Sequence, residues 1–298
     1  MSIKDTVRNL VPSALLEWNR ARKKQQKRRE LERKRAAGEV LTKSGIIDAL
    51  RNAGVDPSKD LLVHSSLSAL GFVEGGPAAV VEALIEYLDD TATLLMPTSP
   101  VVTLQAKHDL EEFNLEDTPS KMGAITEVFR TGYAHARSAH PLEPVAARGP
   151  KAVEYCRGHH TEGTAYGTQS PWAKHMEWGG QILYIGTTLI NSGTSLHAVE
   201  DAIGWKEFKF PVYLEQSRAF GVRNGGRSVQ VITKVHNPEM SVKRECDGLI
   251  PLLENQEALT KVKIGEADCL LVDAAKMKSI LLKEYFDNGV TMYTPQGS

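Results

Sequence analysis

His197 and Glu200 lie three residues apart in Gly193-Thr194-Ser195-Leu196-His197-Ala198-Val199-Glu200-Asp201. On a helix, that spacing puts both side chains on one face. Histidine exchanges a proton near neutral pH, and a neighbouring carboxylate can orient the ring and stabilise its charged form. The chemistry on offer is therefore general base catalysis, with Thr194 standing where it would cap the helix. Taken alone, the pattern also describes a surface or capping pair. It could equally supply two ligands to a metal, although no third ligand stands at a recognisable spacing.

The elements that must position this pair can be read around it. Gly180-Gln181-Ile182-Leu183-Tyr184-Ile185-Gly186 is a short apolar run between glycines, a buried strand delivering the loop. Upstream, Asp60 to Leu67 reads as a strand running into a small-residue loop, and Thr93 to Thr98 as the next strand and loop. The helical spacing of Val80, Val81, Leu84, Ile85 and Leu88 lies between them. Strand, helix, strand implies an α/β sheet covered by helices, with functional loops at strand ends.

Further along, residues 100–118 read as a surface loop. Thr118-Pro119-Ser120-Lys121-Met122-Gly123 starts a helix with Ile125, Val128 and Phe129 on its buried face. Free amides beside Lys121 would suit phosphate, and an ordinary capped start is the alternative. A helix is expected from Pro150 to about His160, with His159 and His160 as a cationic pair at its C-terminus. After Phe208 the pattern turns to short antiparallel strands, with Arg223-Asn224-Gly225-Gly226 as a hairpin turn. Residues 251–259 and 273–286 read as helices.

With 298 residues, 41% apolar and 24% charged, the chain can bury a full core without staples. Cys156, Cys246 and Cys269 are far apart and odd in number, which argues against a disulfide framework or zinc ribbon and for a reducing cytoplasm. Each reads as core filling. No apolar run approaches the roughly 18 residues of a membrane span.

The net charge of −1 conceals an asymmetry: residues 1–40 carry a balance of +7, leaving −8 on residues 41–298. The first forty residues therefore form a basic helical extension to one domain over 41–298. An amphipathic leader of this kind could lie on the inner face of an anionic membrane, or pack on its own domain or a second subunit in a homo-oligomer. Nucleic acid is not expected, because aromatic interleaving is missing.

Set in order, His64-Ser65-Ser66-Leu67, Met96-Pro97-Thr98, Thr118 to Gly123, Arg137-Ser138-Ala139-His140-Pro141, Ser170-Pro171 and Thr194 to Glu200 resemble the aminoglycoside 3-N-acetyltransferase family. The resemblance covers about residues 41–205, and it implies a layered α/β/α sandwich and acetyl-CoA as co-substrate. It implies direct transfer to an amine of an amino sugar, with no metal. His197 would be the general base and Glu200 its orienting partner, while Thr194 would stabilise the thioester oxygen or thiolate. Ser65, Ser66, Pro97 and Thr98 would line the pantetheine channel. Ser120, Lys121, Met122 and Gly123 would meet the cofactor phosphates, with Arg137 either joining them or buttressing the loop.

Acceptor-side elements would come mainly from residues 206–298. The acceptor would be an aminoglycoside, as in antibiotic resistance, or an amino sugar of a polysaccharide or natural product. Glu143-Pro144, Gly193 and Asp89-Asp90-Thr91-Ala92-Thr93 depart from the family pattern. A noncatalytic CoA- or nucleotide-binding protein with a partner-binding leader is the alternative from another class, and a metal-dependent hydrolase is a third.

Overall fold

In a computed structural model, residues 22, 25–26, 28–30, 32–101 and 109–297 are described. The expected membrane contact falls largely on residues outside these. Where the leader meets the domain, residues 32–36 are helical. Lys34 Nζ there lies 2.6 Å from both carboxylate oxygens of Glu266. No described helix is long and apolar enough to cross a membrane.

From Val40 onward come β1 (Val40–Leu41), α1 (Lys43–Asn52), β2 (Leu61–Ser65), β3 (Phe72–Val73), α2 (Gly76–Tyr87), β4 (Leu94–Pro97) and β5 (Glu112–Asn114). It continues through α3 (Ala124–Gly132), β6 (Ala136–Arg137), β7 (Val145–Arg148), α4 (Ala152–Cys156), α5 (Pro171–Glu177), β8 (Gln181–Ile185), α6 (Leu189–Ser192) and α7 (Leu196–Ile203). The last elements are β9 (Arg218–Asn224), β10 (Arg227–Thr233), α8 (Pro238–Ser241), α9 (Ile250–Asn255), β11 (Leu259–Ile264), β12 (Ala267–Asp273) and α10 (Ala274–Asn288).

Seven strands form one sheet in the order β11-β12-β8-β2-β4-β7-β6. Its central strand β2 is parallel to β8 and β4, and the outer pairs are antiparallel. Leu61, Leu62 and Val63 of β2 are fully buried, as expected of a strand covered on both faces. On one face Ile46 and Leu50 of α1, Val80 and Leu84 of α2, and Ile125 and Phe129 of α3 form a continuous apolar layer. On the other, Trp172 and Met176 of α5, Val199 of α7, Leu253 of α9 and Met277 and Leu281 of α10 form the second. The result is the layered α/β/α arrangement.

Several local expectations are revised. The helix after Pro150 stops at Cys156, because Arg157 is extended and Gly158 takes φ +80°. His159 consequently turns inward: it is fully buried and stacks on His140 at 4.6 Å, rather than capping a helix as a cation. The loop expected over 100–118 contains β5, which joins β9 and β10 in a second sheet. Residues 259–273 form the edge strand β11 and its inner neighbour β12, neither of which was expected from the sequence. The start signal at Thr118 is followed by a loop, and α3 begins at Ala124.

Candidate active site

Because β8, β2 and β4 run parallel, their carboxyl ends lie together, the usual position for a ligand site. Ser65 ends β2, and the Ser66 amide donates to the Ile185 carbonyl at the end of β8, 2.9 Å away. Next to them opens a cleft of about 590 Å³, lined by Ser65, Ser66 and Leu67 on one side and Lys121, Met122 and Gly123 on the other. Two stretches more than fifty residues apart thus meet. Gly123 precedes α3 with φ +120°, a conformation side-chain-bearing residues rarely adopt.

Pro97, Thr98 and Ser120 do not line this cleft. Thr98 is fully buried; its hydroxyl donates to the Pro144 carbonyl at 3.1 Å and accepts from Arg137 Nε at 3.0 Å. Ser120 is buried, and its amide donates to Glu127 Oε2 at 2.7 Å. Arg137 Nη1 donates to the Leu115 and Thr118 carbonyls, and Nη2 to that of Thr98. Its guanidinium also lies over the Phe113 ring, 4.7 Å from the centroid. This is the buttressing arrangement: the fork ties the loop together from behind.

A second cavity, of about 270 Å³, holds Thr194 and His197. The helix α7 starts one residue later than expected, with Ser195 rather than Thr194 at its N-cap and no side-chain cap bond. His197 and Glu200 are both buried on it, with Nδ1 and Oε2 only 2.6 Å apart. Arg244 Nη1 lies 3.5 Å from His197 Nε2. A guanidinium can only donate, so Nε2 is the acceptor and the ring proton sits on Nδ1, pointing at Glu200. That tautomer points the ring's lone pair at Arg244, on the wall of the cavity. Gly193 is needed just before: a Cβ there would stand 2.3 Å from the Leu189 carbonyl oxygen, so α6 and α7 could not approach as they do. Met122 lines this cavity as well as the larger cleft, so the two are neighbours.

Residues 62–285 match the family described as aminoglycoside 3-N-acetyltransferase. The chain belongs to that family. The match runs past residue 205, into the part where the motifs fade. YokD, the SPbeta prophage-derived aminoglycoside N(3')-acetyltransferase-like protein of Bacillus subtilis (strain 168), is 29% identical over 200 residues, 60% of this chain and 73% of its own. A structure of AAC-VIa bound to sisomicin is 26% identical, with a TM-score of 0.64 over 83% of this chain and 97% of that one. AAC-IIIb in a binary complex with CoASH is 20% identical and shares the fold, with a TM-score of 0.67 over 82% and 96%. As a member of this family, the protein is an N-acetyltransferase.

Other residues around this candidate site were not legible in the sequence. Tyr166 packs against His197 at 5.1 Å between ring centroids, and His236 at 4.1 Å. Glu143 and Arg244 complete the charged lining of the cavity. These residues come from four separate loops, and only Glu143, as a departure from the family pattern, carried any signal. His197, Glu200 and His236 bring one potential metal-ligand atom each to within 4.8 Å of the others. The third ligand absent from local spacing is thus supplied by β10's connection to α8. Its setting suits a dication poorly: Nδ1 and Oε2 already bond each other, and the Arg244 guanidinium approaches Nε2.

Asp201, next on α7, accepts from Tyr213 at 2.9 Å and from the Thr164 hydroxyl. Burial nevertheless pushes its carboxyl up to about 6. It supports the helix from behind.

Proposed function

We propose that the protein transfers the acetyl group of acetyl-CoA directly to an amine of an amino sugar, with His197 as general base. The observation that carries this reading is the 2.6 Å contact of His197 Nδ1 with Glu200 Oε2, which leaves Nε2 toward a cavity that shares Met122 with the Ser65–Gly123 cleft. Pantetheine would lie along Ser65 and Ser66, with the phosphates near Lys121 and the start of α3, where amides and a cation favour anions. The thioester would then reach the cavity at Met122.

An amine is protonated at neutral pH and must lose a proton before it can attack. The ammonium gives up its first proton to solvent; as the nitrogen bonds to the thioester carbon, Nε2 takes a second proton from it, and Glu200 stabilises the imidazolium. Thr194 would donate to the oxygen as it becomes negative. The C–S bond then breaks, and the imidazolium returns a proton to the thiolate. Juxtaposing the two substrates supplies much of the acceleration without a covalent enzyme intermediate. The cysteines support this direct route: burial holds the Cys246 thiol up at about 11, although it lines the cavity, and that of Cys156 at about 12.

The relatives' names make an aminoglycoside one acceptor class, and the −8 balance of residues 41–298 would attract a polycation. An amino sugar of a polysaccharide or natural product is the other. A cytoplasmic setting, where acetyl-CoA is made and used, fits both.

Thiol release from acetyl-CoA in the presence of amino-sugar acceptors tests the mechanism. His197→Ala should lose about 10²- to 10⁴-fold in kcat while still binding acetyl-CoA. Equal turnover by the variant would remove His197 from the chemistry. Tight acetyl-CoA binding by a wild type that acetylates nothing would favour the noncatalytic binding protein.

A further inference from the structure

Arg244 is a cation placed against the base of the reaction. It sits on the segment between α8 and α9. Asn237 fixes the start of that segment: its side-chain oxygen caps α8 and its side-chain amide donates to the Pro211 carbonyl. Beyond Arg244, the Glu245 amide donates to the Met292 carbonyl at 2.7 Å and Cys246 is buried in the core. The arginine therefore springs from a held backbone and lines the catalytic cavity.

Its own bonds are few. Nε donates to the Ser241 carbonyl at 3.2 Å, and Nη1 reaches His197 Nε2 at 3.5 Å, the limit of a hydrogen bond. Nη2 makes none among the described residues, and no described carboxylate forms an ion pair with this guanidinium. A half-buried arginine ordinarily finds a carboxylate or phosphate for its planar fork. Arg130 with Glu127 in this chain does so.

An acceptor amine must displace Arg244 from Nε2 and then stand beside it. If the acceptor were purely cationic, its ammonium would approach a guanidinium at close range in a site that screens poorly. If it carried an anion near the amine, that anion would take the unengaged face of the fork and draw Arg244 off the base. On the strength of the acetyltransferase reading above, we infer that the preferred acceptor is an amino sugar bearing an acidic group. That group would be a carboxylate, a phosphate monoester or the pyrophosphate of a nucleotide sugar, bound by Arg244. Arg244 is then a specificity residue: in the empty enzyme it covers the lone pair of His197, and in the complex it holds the acid and leaves Nε2 to the amine.

Steady-state thiol release would be measured with glucosamine, glucosamine 6-phosphate, 2-amino-2-deoxyglucuronic acid, UDP-glucosamine and sisomicin. At least one acid-bearing sugar should exceed glucosamine and sisomicin by tenfold or more in kcat/KM, and the winner identifies the acid. Arg244→Gln should collapse that ratio to near one, mainly through KM, and Arg244→Lys should recover part of it. A wild type that prefers sisomicin, or a preference for acids unchanged in Arg244→Gln, overturns the inference.

If no probe turns over, the binding of UDP-N-acetylglucosamine and N-acetylglucosamine 6-phosphate to CoA-loaded enzyme decides. At least tenfold weaker binding of one of them by Arg244→Gln supports the inference; no binding of either, or equal binding by both proteins, overturns it. Acetyl-CoA binding on the same samples separates the two readings. Binding without discrimination among the sugars sinks only the acidic acceptor, whereas no binding sinks the acetyltransferase reading.

Discussion

Glu200 has one residue-scale task that can be isolated. Its Oε2 holds Nδ1 of His197 at 2.6 Å inside a buried site, and in the proposed mechanism it would fix the ring's tautomer and balance the charge formed when Nε2 takes a proton. Glutamine keeps the shape but can turn its amide NH₂ toward Nδ1, which would favour the wrong tautomer. Glu200→Gln should therefore lower kcat about 10²-fold, with little change in acetyl-CoA affinity. Residues acting as a unit are not additive. The double variant His197→Ala, Glu200→Gln should be no slower than His197→Ala alone, and additive losses would show that Glu200 acts on the acceptor by another route. The pair itself was legible in the sequence, since three residues on a helix is a local relation. Arg244, His236 and Tyr166 were not: each reaches His197 only through tertiary folding, from loops 31 to 47 residues away in sequence.

At the scale of elements, the cleft depends on the loop before α3 lying against the end of β2, and Arg137 is the side chain that ties this loop in place. It gathers the carbonyls of Leu115, Thr118 and Thr98 from behind the wall. Lysine has one charged nitrogen and cannot satisfy carbonyls in three directions with a planar fork. Arg137→Lys should weaken CoA and 3'-dephospho-CoA by the same factor, roughly tenfold, together with a loss of stability of about 2 kcal/mol. A loss confined to CoA would restore the direct phosphate contact. The sequence reading weighed both roles for Arg137, because an arginine next to a phosphate loop has the same signature whichever way it points. The central strands and α2 and α3 were legible from apolar runs and helical spacing. The edge strand β11 and its inner neighbour β12 were not assigned: β11 is short and half-buried, and β12 is mostly buried along its length, so neither alternates cleanly.

Across the whole molecule, the two apolar layers hold three neutral histidines whose burial pushes them far below the usual imidazole range. His64 and His159 lie at about 3 and His175 at about 4. His175 Nε2 is 2.9 Å from the Gln181 carbonyl, and His64 stacks on Tyr184 with ring centroids 4.9 Å apart. Each folded-state value is depressed, so the unfolded chain binds protons first as pH falls below about 6.5, and stability rises with pH through that window. One pKa unit corresponds to about 1.4 kcal/mol, so moving from pH 7 to pH 5 costs about 2 kcal/mol per histidine and about 6 for the three. Asp201 has the opposite sign. Its folded carboxyl, raised to about 6, takes up a proton before the unfolded one does and returns about 1 kcal/mol over the same interval. The net loss of about 5 kcal/mol is comparable with the whole stability of many domains. Urea unfolding followed by tryptophan fluorescence should therefore show a much lower midpoint at pH 5 than at pH 7. His159→Gln should reduce the difference by about 2 kcal/mol, because one titrating group is gone whatever the substitution costs at pH 7. Equal midpoints at the two pH values, or an undiminished difference in His159→Gln, would mean that these rings take up protons without unfolding the core around them.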